Sequence, residues 1–197
     1  QTQADSGEYE FSYTVNGSGQ VTQTDVTNPR GYTRRVTFNS DRFMTSDTRA
    51  LGEAIEQATT YTRLSGSNLV ETETDELGRV TRYTYDTKGN VASVTHLHGT
   101  ADAVTTSFTY DPTFNLLTST TDPLTHTTSL AYDSQGRLQS TTDALSHQTL
   151  FGTNAAGQIV SVTDPLSKTT EFSYELGDLV RVETPLGNAV TYFTDPV

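Results

Sequence analysis

Residues 132–164 read YDSQGRLQSTTDALSHQTLFGTNAAGQIVSVTD and contain more than one copy of a unit that recurs along the chain. The unit is Y-D-x-x-G-R/N-L-x-x-x-T-D-P-L-x-x-x-T-x-x-x-Y. Its first turn residue recurs at Asp111, Asp133, Asn154, Glu175 and Asp195, in steps of 22, 21, 21 and 20 residues. Its mid-repeat turn recurs at Asp122, Asp143, Asp164 and Thr184. A fixed period of this length indicates a repeat architecture.

The repeat extends towards the amino terminus with looser spacing. The mid-repeat turn is predicted again at Thr95-His96, Thr74-Asp75, Ser46-Asp47 and Thr24-Asp25. We therefore predict one continuous repeat domain in two parts. Residues 1–69 hold degenerate repeats with loop insertions, and residues 70–197 hold regular repeats of about 21 residues.

Two turn types of different chemistry are predicted in each unit. In the first type, an Asp or Asn side chain accepts backbone N–H bonds and a glycine takes a positive φ. In the second type, Asp-Pro-Leu ends a strand, because proline presets the turn and cannot donate a ladder hydrogen bond. The predicted turn residues are Asp75, Gly89, Asp111, Asp122, Pro123, Asp133, Gly136, Asp143, Asp164, Pro165 and Gly187.

The segments between turns have the lengths and residue types of β-strands. One segment of each unit alternates apolar residues, which places them on one face of a sheet. The predicted inner-face ladder consists of Tyr83, Tyr85, Phe108, Tyr110, Leu130, Tyr132, Phe151, Phe172, Tyr174 and Tyr192. In the other segment the apolar residues lie three apart, as in Ile159 and Val162. Either a bulge or partial burial of both faces would explain that spacing.

The predicted fold is all-β, a repetitive antiparallel hairpin meander of 16 or 17 strands counted from the turn marks. Open sheets rarely exceed about ten strands when flat, so this one is expected to curl or spiral. Residues 47–59 offer a helical alternative; we favour an enlarged turn from Asp47 followed by a strand ending at Tyr61. Leucines at the turns, such as Leu124 and Leu145, are expected to form a second apolar stripe along the sheet margin.

Composition narrows the class of protein. Apolar residues make up 32% of the chain and the net charge is −12, values that also suit a disordered chain, but regularly spaced aromatics favour a folded one. The excess of acidic residues disfavours nucleic acid as a partner. The basic cluster Arg30, Arg34, Arg35 and Arg42 is interpreted as solvated strand ends.

No stretch is apolar enough for a membrane helix. The lack of an initial Met or signal core predicts an excised or processed segment.

The motifs Tyr110-Asp111, Tyr132-Asp133, Gly136-Arg137-Leu138 and the recurring Thr-Asp-Pro-Leu resemble the YD/RHS-repeat family. That family includes bacterial Rhs and wall-associated toxins, toxin-complex C components and teneurin-like shells. The resemblance implies a partial β-shell whose strip of strands encloses a toxin-like carboxy-terminal segment. It also implies a secreted or cell-surface location. Residues 9–69 match weakly, because the Gly-Arg-Leu triplet is missing there.

The sequence supports metal binding and carboxylate catalysis less well than a structural role. His96 and His98 share a strand face, and His126 and His147 occupy equivalent positions, yet a variable solvent-facing row explains them without zinc. The Asp122, Asp143 and Asp164 row is too widely spaced for paired-carboxylate hydrolysis. We predict no catalytic residues, no metal ligands and no cofactor, with calcium at the turn carboxylates as the alternative to none.

The sequence thus predicts a non-enzymatic structural repeat module, a wall segment that encloses or displays a downstream segment. Its expected partner is the remainder of its own polypeptide, with no nucleic acid and no membrane span. Exposed apolar surface predicts self-association of the isolated chain. The alternative is a carbohydrate-binding or adhesion module whose aromatic ladders stack on glycans at a cell surface.

Overall fold

The computed structural model describes residues 7–193, so the predicted turn residue Asp195 lies outside the described residues. They contain no helix, and so none that could cross a membrane. Seventeen strands lie in this part of the chain: β1 (Glu10–Val15), β2 (Val21–Thr27), β3 (Thr33–Phe38), β4 (Met44–Arg49), β5 (Gln57–Arg63), β6 (Val70–Thr74), β7 (Val80–Tyr85), β8 (Val91–His96), β9 (Val104–Tyr110), β10 (Leu117–Thr121), β11 (Thr127–Tyr132), β12 (Leu138–Thr142), β13 (Gln148–Thr153), β14 (Ile159–Thr163), β15 (Thr169–Glu175), β16 (Asp178–Glu183) and β17 (Ala189–Thr191).

The strands belong to two compact units, residues 1–105 and 106–197, and the boundary falls within β9. In the first unit each strand from β1 to β8 pairs antiparallel with the next along the chain. In the second unit the same holds from β9 to β17. The predicted all-β hairpin meander is therefore confirmed.

Eleven turns between the described strands share one geometry. The first residue donates its N–H to the carbonyl of the fifth, and the fourth donates back to the first. These turns begin at Asn16, Asn28, Asn39, Asp75, Asp86, Asp122, Asp133, Asp143, Asn154, Asp164 and Thr184. In the turn from Asp133, the carboxylate also accepts the N–H groups of Gln135 (2.8 Å) and Arg137 (2.9 Å). Aspartate and asparagine thus satisfy the backbone groups that the reversal leaves without strand partners.

The two predicted turn types are more alike than the sequence indicates. Asp122, Pro123 and Leu124 build the same five-residue turn as Asp133-Ser-Gln-Gly136, with Leu124 N–H donating to the Asp122 carboxylate. The fourth position has a positive φ in both types. Glycine occupies it in the first type, as at Gly89 and Gly136. In the mid-repeat turns it is Thr125, Ser146 or Ser167 after Asp122, Asp143 and Asp164, but Gly187 after Thr184. The two turn types therefore differ in their residues but share one backbone hydrogen-bond pattern.

Bulges account for the apolar residues that lie three apart. In the β13–β14 pair the register shifts so that Phe151 lies opposite Val162 while Thr153 lies opposite Ile159. The same shift sets Tyr174 opposite Leu179 and Phe172 opposite Val182. One extra residue on the bulged strand returns both apolar side chains to a single face. The bulge, and not burial of both faces, is confirmed.

Two of the upstream turn predictions were wrong. Asp25 lies inside β2 and Asp47 inside β4. Each carboxylate is held by an arginine on the intervening strand β3, Arg35 to Asp25 and Arg34 to Asp47, through two hydrogen bonds of 2.7–2.9 Å. Arg34 and Arg35 are therefore anchored by cross-strand partners, which the interpretation of the basic cluster as solvated strand ends did not include, while Arg30, Arg34 and Arg42 are exposed.

The ambiguous segment 47–59 contains no helix. A seven-residue loop, 50–56, joins β4 to β5, and Tyr61 lies inside β5, which continues to Arg63. The strand interpretation is confirmed, although the loop begins after Arg49 and not at Asp47. The loop is tied to the sheet by the Leu51 N–H, which donates to the Thr33 carbonyl at 2.9 Å.

Side chains connect turns on the same sheet edge. Arg137 donates from Nε to its own turn carboxylate, Asp133, at 2.6 Å, and from Nη1 to the carbonyl of Asn154 at 2.7 Å. Gln158, at the equivalent position, donates to the Gly177 carbonyl at 2.9 Å. The arginine of the Gly-Arg-Leu triplet therefore fixes one repeat to the next.

Candidate functional site

The predicted ladder residues of each unit lie on one surface of its strands, here called the aromatic face. Of the ten predicted ladder residues, nine are half-buried and Tyr192, which follows β17, is 47% exposed. The residues between them along each strand, such as Thr109, Ala131 and Ser173, are exposed. The first unit carries Tyr83 and Tyr85, and the second carries Phe108, Tyr110, Leu130, Tyr132, Phe151, Phe172, Tyr174 and Tyr192.

The tyrosine that precedes each turn aspartate has a defined hydrogen-bond partner in two repeats. The Tyr85 hydroxyl donates to the carbonyl of Val70, and the Tyr132 hydroxyl donates to that of Leu117, both at 2.7 Å. Each bond reaches 15 residues back, to the first residue of the preceding strand. Because the ring is half-buried, this bond satisfies the one polar atom that accompanies its apolar surface. The tyrosine of the repeat therefore fixes consecutive strands to each other.

No apolar side chain is fully buried among residues 7–193. Thr48 and Ser140 are the most buried residues that the structure describes, each 8% exposed. Phe151 lies opposite Val162 and Phe172 lies opposite Val182 on the neighbouring strand, and part of each aromatic side chain stays exposed. A half-buried phenylalanine contributes on the order of 1–2 kcal/mol, less than a fully covered one. The aromatic face is thus an apolar surface without a complete cover.

The opposite surface, here called the hydroxyl face, was not predicted from the sequence. It carries small hydroxyl side chains that bond across strands, for example Thr84 with Ser93 (2.6 Å) and Thr62 with Thr72 (2.7 Å) in the first unit. Thr109 with Ser119 (2.6 Å) is an equivalent pair in the second unit. Threonine and serine at the positions that alternate with the aromatic residues were the signal that identifies this face.

The turn carboxylates accept hydrogen bonds from the backbone of their own turns. Asp75, Asp122, Asp133, Asp143 and Asp164 each open a five-residue turn, Pro123 and Pro165 take its second position, and Asp111 opens a turn one residue longer. Hydrogen bonds from the backbone and side chain of Arg137 lower the pKa of Asp133 against a smaller opposing effect of desolvation. The corresponding groups of His147 lower the pKa of Asp143.

The histidines lie beside these carboxylates. The Nδ1 atoms of His126 and His147 lie 2.9 Å from the carboxylates of Asp122 and Asp143 in their own turns. Across residues 7–193, no group of three or more His, Asp or Glu side chains is arranged to hold a metal ion. The two Asp–His pairs are contacts within single turns.

Leucines at the third position of the mid-repeat turns extend into solvent. Five of them are 72–85% exposed. They are Leu77, Leu124, Leu145, Leu166 and Leu186. Leu97, which the sequence places in the same series, is half-buried.

Comparison with protein families identifies the repeat. The model of the RHS repeat matches residues 65–101, 110–148 and 154–189, more than half of the chain. The chain belongs to the RHS repeat family. The matched segments of this RHS-repeat protein contain eight of the eleven five-residue turns and seven of the ten ladder residues. A search of curated proteins finds no significant match.

Solved structures share the fold of this RHS-repeat chain. The crystal structure of TcdB2-TccC3 aligns over 94% of the chain with a TM-score of 0.69 and 17% identity. The Photorhabdus luminescens Tc holotoxin pore, which carries a TccC3 mutation, aligns over 97% with the same TM-score and 18% identity. The chain spans only 12% and 11% of the lengths of those two proteins. At this identity the likeness establishes the fold, that of a repeat β-sheet module.

Proposed function

We propose that this RHS-repeat chain is a segment of the wall of a β-shell that encloses or displays a downstream, toxin-like segment of a larger secreted or surface protein. The observation that carries the proposal is the unequal pair of faces. The aromatic face is apolar and incompletely covered, whereas the hydroxyl face is built from small polar groups that bond to one another. A surface of the first kind favours contact with other polypeptide, and one of the second kind tolerates water.

The fold supports the same proposal. One of the solved structures that share the fold is a Tc holotoxin pore, and this chain corresponds to 11% of its length. A wall segment acts through the surface that it presents. The repeated carboxylates hold the turns, so we propose that the chain contributes containment and not catalysis. Its partner is then the remainder of its own polypeptide.

Limited proteolysis of the longer polypeptide that carries this chain tests the proposal. In the native protein the downstream segment should resist protease until the shell is opened by denaturant. Phe172→Lys puts a charge on the aromatic face and should speed cleavage of that segment. Ser173→Lys puts the same charge on the hydroxyl face and serves as the matched control.

Circular dichroism should show that both variants keep their β-sheet signal before proteolysis is compared. A native protein whose downstream segment is cut as fast as a free copy of that segment contradicts the wall proposal.

A further inference from the structure

The loop 50–56 forms one side of a cavity in the first unit. The five-residue turns hold the chain close to the strand ends, but this loop is longer and folds back towards β3. The Leu51 N–H donates to Thr33, and the Gly52 N–H donates to the carboxylate of Glu56 at 2.7 Å. These bonds fix both the base and the far side of the loop. A loop that hydrogen bonds hold in one conformation can form a stable wall of a binding site.

The cavity has a volume of about 490 Å³ and walls that are mostly apolar. Val26 of β2 lines it, together with Tyr9, Tyr32 and Ile55. The last three are 61%, 42% and 66% exposed, so their apolar surface is available to another molecule. The volume lies within the range of roughly 300–1,000 Å³ that is usual for small-molecule sites.

Two arginines line the same cavity, and no acidic residue does. Arg34 is fixed by two hydrogen bonds of 2.8 Å to Asp47, which lies outside the lining. Those bonds hold the pKa of Asp47 below its usual value, so the carboxylate stays ionised. The Arg49 Nη2 atom lies 4.0 Å from the same Asp47 carboxylate, and the Arg49 side chain is 65% exposed. One carboxylate therefore serves two guanidinium groups.

The lining of the cavity therefore presents two guanidinium groups and no carboxylate beside apolar walls, in a chain whose net charge is −12. A guanidinium binds a carboxylate through two parallel hydrogen bonds, and Arg49 has donors available for such a pair. Tyrosine and isoleucine side chains bury apolar and aromatic groups. We propose that this cavity binds a carboxylate joined to an aromatic or aliphatic body. Arg49 takes the carboxylate, and Tyr9, Tyr32 and Ile55 contact the body.

The site is independent of the wall proposal, because it lies on the first unit alone and requires no downstream segment. Titration of the purified chain with hydrocinnamate, followed by NMR, tests it. Hydrocinnamide, which has the same body without the charge, should bind at least about tenfold more weakly, since a hydrogen-bonded charge pair contributes more than one factor of ten in affinity. The amide signals of Leu51 and Ile55 should shift with hydrocinnamate.

Variants locate the binding groups. Arg49→Gln should weaken hydrocinnamate binding about tenfold, and Ile55→Ala should weaken both ligands by a similar factor. Arg82→Gln removes a partly exposed arginine of β7 and should leave binding unchanged. Thermal unfolding of each variant shows that it is folded.

Equal binding of the acid and the amide, or unchanged binding by folded Arg49→Gln, would overturn the proposal. Glucuronate tests the apolar body: if it binds as tightly as hydrocinnamate, a carboxylated sugar and not an apolar acid is the ligand, and the proposal is wrong.

Discussion

At the residue scale, the fourth position of each turn has the most restrictive backbone. It has a positive φ, which glycine adopts freely and a β-branched residue adopts at a cost. Thr125 occupies it with a φ of 70°, in the turn that Asp122 opens. Gly157 occupies the equivalent position with a φ of 83°. The same turn geometry therefore holds a strained residue in one repeat and an unstrained residue in another.

Thr125→Gly should stabilise the second unit. Removing the Cβ relieves about 1 kcal/mol of left-handed strain, less the entropy that glycine loses on folding. Urea unfolding followed by circular dichroism measures the change. The control is Gly157→Ala, which should destabilise by a similar amount, because an added Cβ there meets no heavy atom within 4 Å and only the backbone strain is changed. A loss of stability in Thr125→Gly would show that its side chain, and not its backbone, governs the turn.

The turn carboxylates make stability depend on pH. Hydrogen bonds lower the pKa of Asp75, Asp86, Asp133 and Asp143 in the folded chain from the ordinary value of 3.8. A carboxylate of this kind contributes stability above its unfolded pKa and loses it as pH falls through its folded pKa. The free energy of unfolding should thus be level near neutrality and fall as the pH drops below 3.8.

Replacing these four aspartates by asparagine tests the origin of that loss. Asn154 already opens a turn of the same geometry, so the amide oxygen can replace the carboxylate as an acceptor. The variant should stay folded at neutral pH and lose less stability in acid than the native chain. An unchanged acid profile would assign the titration to other groups, such as Asp25 and Asp47.

At the element scale, the difference between the two faces decides which strand residues hold the sheet together. Phe151 and Leu150 are neighbours on β13 and point to opposite faces. Phe151 is half-buried opposite Val162, whereas Leu150 lies opposite Ser140 and Thr163 and is exposed. Apolar burial should therefore count at one of these positions and hardly at the other.

Phe151→Ala should destabilise the second unit by about 2–3 kcal/mol, because a large side chain leaves the packed face. Leu150→Ala should cost less than about 1 kcal/mol, since its side chain is already exposed. Chemical denaturation of the two variants under one set of conditions gives both values. Similar losses at the two positions would mean that the hydroxyl face is covered in solution.

At the largest scale, consecutive strands pair with one another within each unit, from β1 to β8 and from β9 to β17, so contacts within a unit are local. In repeat proteins of this kind stability is nearly a sum of unit and neighbour terms, and unfolding can be confined to a few repeats. The repeating structural unit of this chain is the β-hairpin. Damage to one hairpin should therefore spread to adjacent strands and decline with distance.

Val162→Asp tests this in β14. It places a charge opposite Phe151 and Thr170 on the aromatic face, at a cost of about 2 kcal/mol or more. Amide hydrogen exchange should speed up in β13, β14 and β15 and stay at native rates in β2 to β7. Uniform acceleration along the chain would indicate a single cooperative unit.

The strands from β7 onward, most of the turns and the residues of the aromatic ladder could be predicted from the sequence. These follow from short-range chemistry, because an Asp or Asn followed by glycine or proline reverses the chain wherever it stands, and alternation assigns a face without reference to the partner strand. The sequence left the bulges open. It did not indicate the common geometry of the two turn types, the cross-strand Arg34–Asp47 and Arg35–Asp25 pairs, or the cavity beside the loop 50–56. Each of these depends on which residue lies opposite on the neighbouring strand. That register is set by hydrogen bonds between strands, and a motif such as Ser-Asp carries no information about whether an arginine lies across from it.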